Sequence, residues 1–394
     1  MTMGTPAGAA LASACGVIRS ICALTLCGCL AAACGSTDSV GSDEQDVKVD
    51  TEAELAWQQY VANLEFARGY QPTCVSGTTA GEGGAPEDQR PRVLVTGFGR
   101  FQSNRANATG EVVSELLDGL TYPLTDPPAY GQIDPPAPQT AVALGTVELP
   151  GVGEVDLCGM VVPVFWDLAA VLVLKEIEAF SPDFVLLNGI AGGRQPLWLE
   201  LGSINRARAL EDGSDILMPI EEGAPLIPTA PEEEYARPLL LSWHAVRAAA
   251  EQAITSHAAD EREGTPLSDV LHGVRFAGYP RSSNTYLCNN TAYTVGYLMD
   301  HHGEAVRLME ASHPREGYDD GLDVTINEDH STTPRVFVHW PSNLEGDHIG
   351  SAAEVMSALI AGQVDALVNE GELPSPGDNA IAEVKPDATG GDTY

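Results

Sequence analysis

Three side chains far apart in the sequence have the right types to cleave an amide bond together: Cys288, His339 and Glu200. Cys288 stands in Ser283-Asn-Thr-Tyr-Leu-Cys288-Asn-Asn, where the apolar stripe Cys288, Ala292, Val295 and Met299 opens a predicted helix. A thiol at a helix N-terminus feels the positive end of the aligned peptide dipoles, which favours the nucleophilic thiolate. A buried structural cysteine fits the same residues. His339 follows Val336-Phe-Val and precedes Trp340-Pro341, so the chain turns there and sets the imidazole at the carboxyl edge of a strand. From that edge it could take a thiol proton and return it to a leaving amine, although a satisfied structural histidine is the plainer reading of the residue alone. Glu200, in Leu197-Trp-Leu-Glu-Leu, is a carboxylate in an apolar stretch that needs a partner if buried. The imidazolium of His339 would be such a partner, and an exposed charge on an edge strand is the alternative.

Other motifs carry less. Gly189-Ile-Ala-Gly-Gly-Arg194 follows a strand but has neither the Lys-Ser/Thr ending of a P-loop nor dinucleotide-binding spacing, so it reads as tight backbone packing. His301-His302 and His348 have no cysteines or carboxylates at ligand spacing, and neither a metal nor a cofactor is expected.

The elements that must position these groups alternate. Val93–Thr96, Val155–Phe165, Asp183–Leu187, Gly273–Ala277 and Arg335–Val338 read as apolar strands. Helices are expected at Ala108–Leu120, Asp167–Phe180, Asn289–His301 and Ser351–Ala361, the last closed by Gly362. This pattern predicts an α/β fold, a mostly parallel central sheet between helical layers (αβα), with sites at the carboxyl ends of the strands. The Pro-rich segments around 123–138, 213–238 and 311–334 read as surface insertions.

The first 34 residues are of another kind. Arg19 precedes the apolar run 21–34, too short to span a bilayer but suited to a signal peptide. It ends in Leu26-Cys-Gly-Cys29 or Leu30-Ala-Ala-Ala-Cys34, both like the bacterial lipoprotein box, so Cys34 or Cys29 is the expected lipidation site, with ordinary secretory cleavage as the alternative. The expected organisation is therefore a leader over 1–34, a disordered tether over 35–52, an N-terminal helix and Gly-rich linker over 53–91, a catalytic domain over 92–370 and a loose tail over 371–394. Trp57, Tyr60, Val61 and Leu64 form one apolar stripe on that helix.

Beyond the leader remain Cys74, Cys158 and Cys288. In an oxidising compartment an odd number leaves one thiol free, and the expected arrangement is a Cys74–Cys158 bridge with Cys288 as the thiol. With 56 acidic against 20 basic side chains, a formal charge of −36, the chain is unsuited to nucleic acid or to anionic membrane surfaces. Membrane contact is expected only through the N-terminal lipid, in the bacterial cell envelope outside the cytoplasm; a homo-oligomer is left open.

Three segments in this order resemble the pyroglutamyl peptidase I family, cysteine exopeptidases that remove an N-terminal pyroglutamate. They are Val93-Leu-Val-Thr-Gly-Phe98-Gly-Arg-Phe101 with Asn107; Gly189-Ile-Ala-Gly-Gly-Arg194 with Glu200 and Asn205; and Tyr286-Leu-Cys288-Asn with Phe337-Val-His339-x-Pro341. The resemblance runs from about Arg92 to Ala361, with insertions. It implies Cys288 as nucleophile, His339 as general base and acid, Glu200 as orienting carboxylate, and the backbone N–H of Cys288 as oxyanion donor. It further implies that Phe98 and Phe101 line an apolar slot for the lactam ring, closed by Tyr286 and Leu287, with no cofactor and a peptide or small amide as substrate. Ile190 stands where many members have Gln, and Gln102-Ser103 replaces a Gly-Gly, which leaves substrate preference open. Leu210 occupies a frequent Arg position, for which Arg206 or Arg208 could substitute. Competing expectations are hydrolysis of another small amide or lactam, and a catalytically silent surface binding protein.

Overall fold

Apolar strands without polar alternation must be covered on both faces, and the fold meets that demand with helices on each side of one sheet. The computed structural model describes residues 43–75, 90–191, 195–219 and 221–377. Helices are α1 (Asp43–Gly69), α2 (Ala108–Glu115), α3 (Leu168–Phe180), α4 (Trp243–Ser256), α5 (Leu287–Asp300) and α6 (His348–Val368). The strands of the main sheet are β1 (Arg92–Phe98), β2 (Ala141–Leu149), β3 (Gly153–Val162), β4 (Phe184–Ala191), β5 (Gln195–Glu200), β6 (Leu240–Leu241), β7 (Leu271–Ala277), β8 (Arg335–Pro341) and β9 (Ser375–Pro376).

The sheet runs β7-β5-β8-β4-β1-β3-β2, with β6 beside β8 and β9 beside β6. β3, β1, β4 and β8 are mutually parallel neighbours, as are β5 and β7. β2 runs antiparallel to β3, and β5 antiparallel to β8. The mostly parallel αβα sheet expected from the sequence is therefore present. α2, α4 and α6 pack together on one layer, and α3 packs with α5 on the other. α6 has the length and hydropathy of a membrane span, but most of it is buried in this core.

Several boundaries differ from expectation. Residues 43–52, expected within a disordered tether, are helical, because α1 starts at Asp43 and runs unbroken to Gly69. The stripe on α1 has a surface to cover: Leu64 is fully buried, and Trp57 meets the ring of Tyr318 at 5.0 Å. Lys175 of α3 donates to the carbonyl oxygen of Ala67 at 2.6 Å. Helix and catalytic segment, expected as separate stretches, fall in one unit beginning at Lys48. The tail expected to be loose from 371 contributes β9, whose Ser375 and Pro376 pair with β6. Gly362 does not close α6, which continues to Val368. A Cβ there would stand 2.9 Å from Cβ of Ala249, so this glycine serves the contact with α4.

Cys74 and Cys158 form a disulfide that joins the segment after α1 to β3, while Cys288 is a free thiol. Next to the bridge, buried Glu176 accepts hydrogen bonds from Tyr70 Oη and from the backbone N–H groups of Thr73 and Cys74. The leader with Cys29 and Cys34, the rest of the tether (35–42), the linker at 76–89 and the tail from 378 lie outside the described residues, as do Gly192, Gly193 and Arg194 of the glycine-rich motif.

Candidate active site

The carboxyl ends of β1, β4 and β8 are stitched together by one buried amide. Asn188 donates through Nδ2 to the carbonyl of Thr96 at 2.8 Å and accepts through Oδ1 from the indole N–H of Trp340 at 2.9 Å. Register then places His339 opposite Gly189 on one side and Trp198 on the other, two residues from Glu200. His339 Nδ1 lies 3.0 Å from Glu200 Oε1, with both side chains almost wholly buried. Nδ1 being turned to the carboxylate, Nε2 is left for the sulfur of Cys288, with which the ring hydrogen-bonds. Burial disfavours a charged ring, yet Glu200 and Cys288 outweigh it and hold the pKa of His339 up at about 10. Phe337 packs against the imidazole at 5.0 Å between centroids.

Cys288 is the second residue of α5, a first-turn position whose N–H has no intrahelical acceptor. Its sulfur lies over Gly189: a Cβ on residue 189 would be 2.8 Å from Sγ. The following residues anchor the helix start. Asn289 accepts from the N–H of Ile204 and donates to the carbonyls of Ile204 and Arg206, and Asn290 donates to Asp167 at 2.8 Å. Of the site residues read from the sequence, the structure thus gathers Cys288, His339 and Glu200 into one cluster. Cys288 is only partly buried, open enough to be reached by a substrate.

The expected lactam slot divides into two kinds of side chain. Phe98 and Leu287 are buried in the hydrophobic core, whereas Phe101, Tyr286 and Ile190 are half-buried at the site. Phe98 and Leu287 therefore back the slot, and the rings open to a ligand are Phe101 and Tyr286, edge to face at 6.2 Å. Trp166, not singled out in the sequence, meets the other side of Tyr286 at 5.6 Å. Its signal was available in the aromatic pair Phe165-Trp166 at the end of a predicted strand. Gln102, where a Gly-Gly was expected, adopts φ of 51°, a region glycine favours, and is held by its N–H to the carbonyl of Gly213.

Arg100, between the two phenylalanines, is almost wholly buried and ion-paired with buried Asp134. Asp134 in turn exchanges backbone and side-chain hydrogen bonds with Gln59 of α1. Of the two arginines that could stand in for the one absent at position 210, Arg206 is engaged by Glu222 at 3.0 Å. The backbone N–H of Arg208 donates to the carbonyl of Thr285 at 2.7 Å, which puts residue 208 beside the nucleophile segment.

No family model matches the chain. It is similar to pyrrolidone-carboxylate peptidases of Lactobacillus johnsonii (26% identical over 213 residues, 53% of this chain and 71% of the relative) and Streptomyces coelicolor (24% over 212 residues, 53% and 70%). That of Pyrococcus furiosus is 23% identical over 218 residues, covering 54% of this chain and 73% of the relative. Among solved structures, pyroglutamyl peptidase I of Bacillus amyloliquefaciens covers 69% of this chain and 97% of its own, with 18% identity and a TM-score of 0.43. Pyrrolidone carboxyl peptidase of Thermococcus litoralis covers 72% and 97%, with 16% identity and a TM-score of 0.42. The curated similarities support the family resemblance carried by the motifs.

Proposed function

We propose that this chain is a thiol-dependent exopeptidase that removes an N-terminal pyroglutamate from peptides through an acyl-enzyme. The observation that carries the reading is the cluster of a partly exposed sulfur, a buried imidazole and a buried carboxylate at 3.0 Å from that ring, drawn from three distant segments. The sulfur attacks the carbonyl of the pyroglutamyl residue, and the backbone N–H of Cys288 stabilises the oxyanion. His339 gives its proton to the departing amine, leaving a thioester. Water, deprotonated by the same ring, then releases pyroglutamate. Glu200 keeps the ring oriented and stabilises its protonated form whenever that form arises.

The half-buried rings of Phe101 and Tyr286 suit a flat, uncharged lactam. Apolar Ile190 at the same site favours, as a second reading, a related small amide or lactam. A fluorogenic pyroglutamyl amide distinguishes the two: turnover by the wild type, abolished in Cys288→Ala, supports the peptidase. No turnover, with iodoacetamide labelling of Cys288 that His339→Ala suppresses, favours the second reading; neither result leaves a silent binding protein.

The setting we infer is extracytoplasmic, with a lipid on Cys34 or Cys29. The leader pattern supports it, as does a disulfide between Cys74 and Cys158, a bond characteristic of oxidising compartments. Absence of palmitate from the wild type would refute the anchor, and incorporation that survives both Cys34→Ser and Cys29→Ser would refute these two sites.

A further inference from the structure

Next to the aromatic row at the slot lies a cavity of about 740 Å³. Much of its wall comes from stretches that the family resemblance leaves unexplained: Trp57 and Tyr60 of α1, Leu217 and Met218 of one insertion, and Ala311 at the edge of another. Trp166 belongs both to this cavity and to the aromatic row at the slot, since its ring also meets Tyr286. The cavity and the slot therefore adjoin, with Trp166 as their common wall. Asp167, also on its wall, is bonded to Asn290 in the first turns of α5 and to the backbone N–H of Met309. That pair of bonds ties the chain leading into the second insertion to the helix that carries the nucleophile.

Hydrolysis of an amide divides the substrate between two places, one for the acyl group and one for the amine. The slot at Phe101 and Tyr286 takes the acyl part. We propose that the cavity takes the other: the peptide chain following the pyroglutamyl residue, with an apolar or aromatic side chain in its first position. The inference rests on the exopeptidase reading and adds its substrate class.

The test compares kcat/KM for pyroglutamyl-phenylalanine amide and pyroglutamyl-glycine amide in the full chain and in Ala311→Trp, which fills the cavity. The wild type should favour the phenylalanine substrate by about tenfold or more, and the variant should bring that ratio close to one. A wild type without preference, or a folded variant that loses equally on both substrates, overturns the inference while leaving the peptidase standing. Absence of turnover on either substrate removes both. Competition needs no variant: phenylalanine amide should inhibit cleavage of the glycine substrate at least tenfold more strongly than glycine amide does, and equal inhibition overturns the inference. A dimer in solution that Ala311→Trp dissociates would give the cavity to a second copy instead, and would equally overturn it.

Discussion

The sulfur of Cys288 occupies the space that a Cβ of residue 189 would claim, 2.8 Å from that point, with the ring of Phe337 only 2.9 Å from it on another side. Gly189 → Ala must therefore push the sulfur or the ring. A side-chain sulfur turns more easily than a sheet moves, so the damage should fall on chemistry before stability. Because a misplacement of about 1 Å can cost on the order of 100-fold in rate, kcat should fall by about that factor. Thermal unfolding should shift by only a few degrees. Equal kcat in Gly189 → Ala would mean that the sulfur position seen here is not the reactive one.

Glu200 → Gln removes the charge that most strongly favours the protonated ring of His339. The pKa of the ring should drop from its raised position near 10, and the basic limb of the kcat/KM profile should move to lower pH with it. The rate itself should fall by about 10²- to 10⁴-fold, the range of general acid–base catalysis. The sign for stability follows from the same shift. A ring whose folded pKa exceeds its ordinary 6.5 stabilises the fold fully below that value and loses the contribution as pH rises through about 10. Denaturant titrations of wild type from pH 6 to 10 should show this decline, and Glu200 → Gln should flatten it. An unchanged pH profile in the variant would exclude the pairing as the cause.

Much of this arrangement was legible in the sequence, because apolar strands followed by amphipathic helices leave few topologies and the catalytic types fall at strand ends and a helix start. What escaped depended on long-range packing. Gly362 reads locally as a helix stop, yet its lack of a Cβ serves α4, itself not anticipated. Arg100 and Asp134 look like ordinary surface charges, and only the folded chain shows them buried against each other. The stretch 213–238, expected on the surface, holds the buried Leu226 and Ile227, the latter bonded through its backbone to Asn205. Nothing in local spacing announces that an insertion will fold back over the core.

The bridge from Cys74 to Cys158 closes a loop of 84 residues in sequence separation. A crosslink of that span restricts the unfolded chain, and its loss should cost about 4 kcal/mol. Cys74 → Ala with Cys158 → Ala should therefore melt well below the wild type in calorimetry. Thiol titration of the native protein cleaved after residue 34 should count Cys288 alone, and all three cysteines after reduction and unfolding. More than one reactive thiol in the native, unreduced form would contradict the bridge.

The ion pair of Arg100 and Asp134 gives a last test, because it couples the N-terminal helix to the slot. Burial lifts the carboxyl of Asp134 above its ordinary range even with Arg100 beside it, so the site depends on that guanidinium to hold a charge there. Arg100 also donates to the carbonyl of Gln102, the residue held at positive φ after Phe101. Arg100 → Met leaves a buried carboxyl without its partner, a change that typically costs about 3–5 kcal/mol. It should also free the turn that presents Phe101. Gln59 → Ala cuts the hydrogen bonds from α1 to Asp134, along with one to Asn63 within the helix, and should cost less, about 1–3 kcal/mol for the groups left unsatisfied. KM for a pyroglutamyl amide should rise in both variants, more in Arg100 → Met, with kcat at saturation less affected because Cys288, His339 and Glu200 stand on other elements. A fall in kcat at unchanged KM would show that this network acts on the thiol cluster and not on the slot.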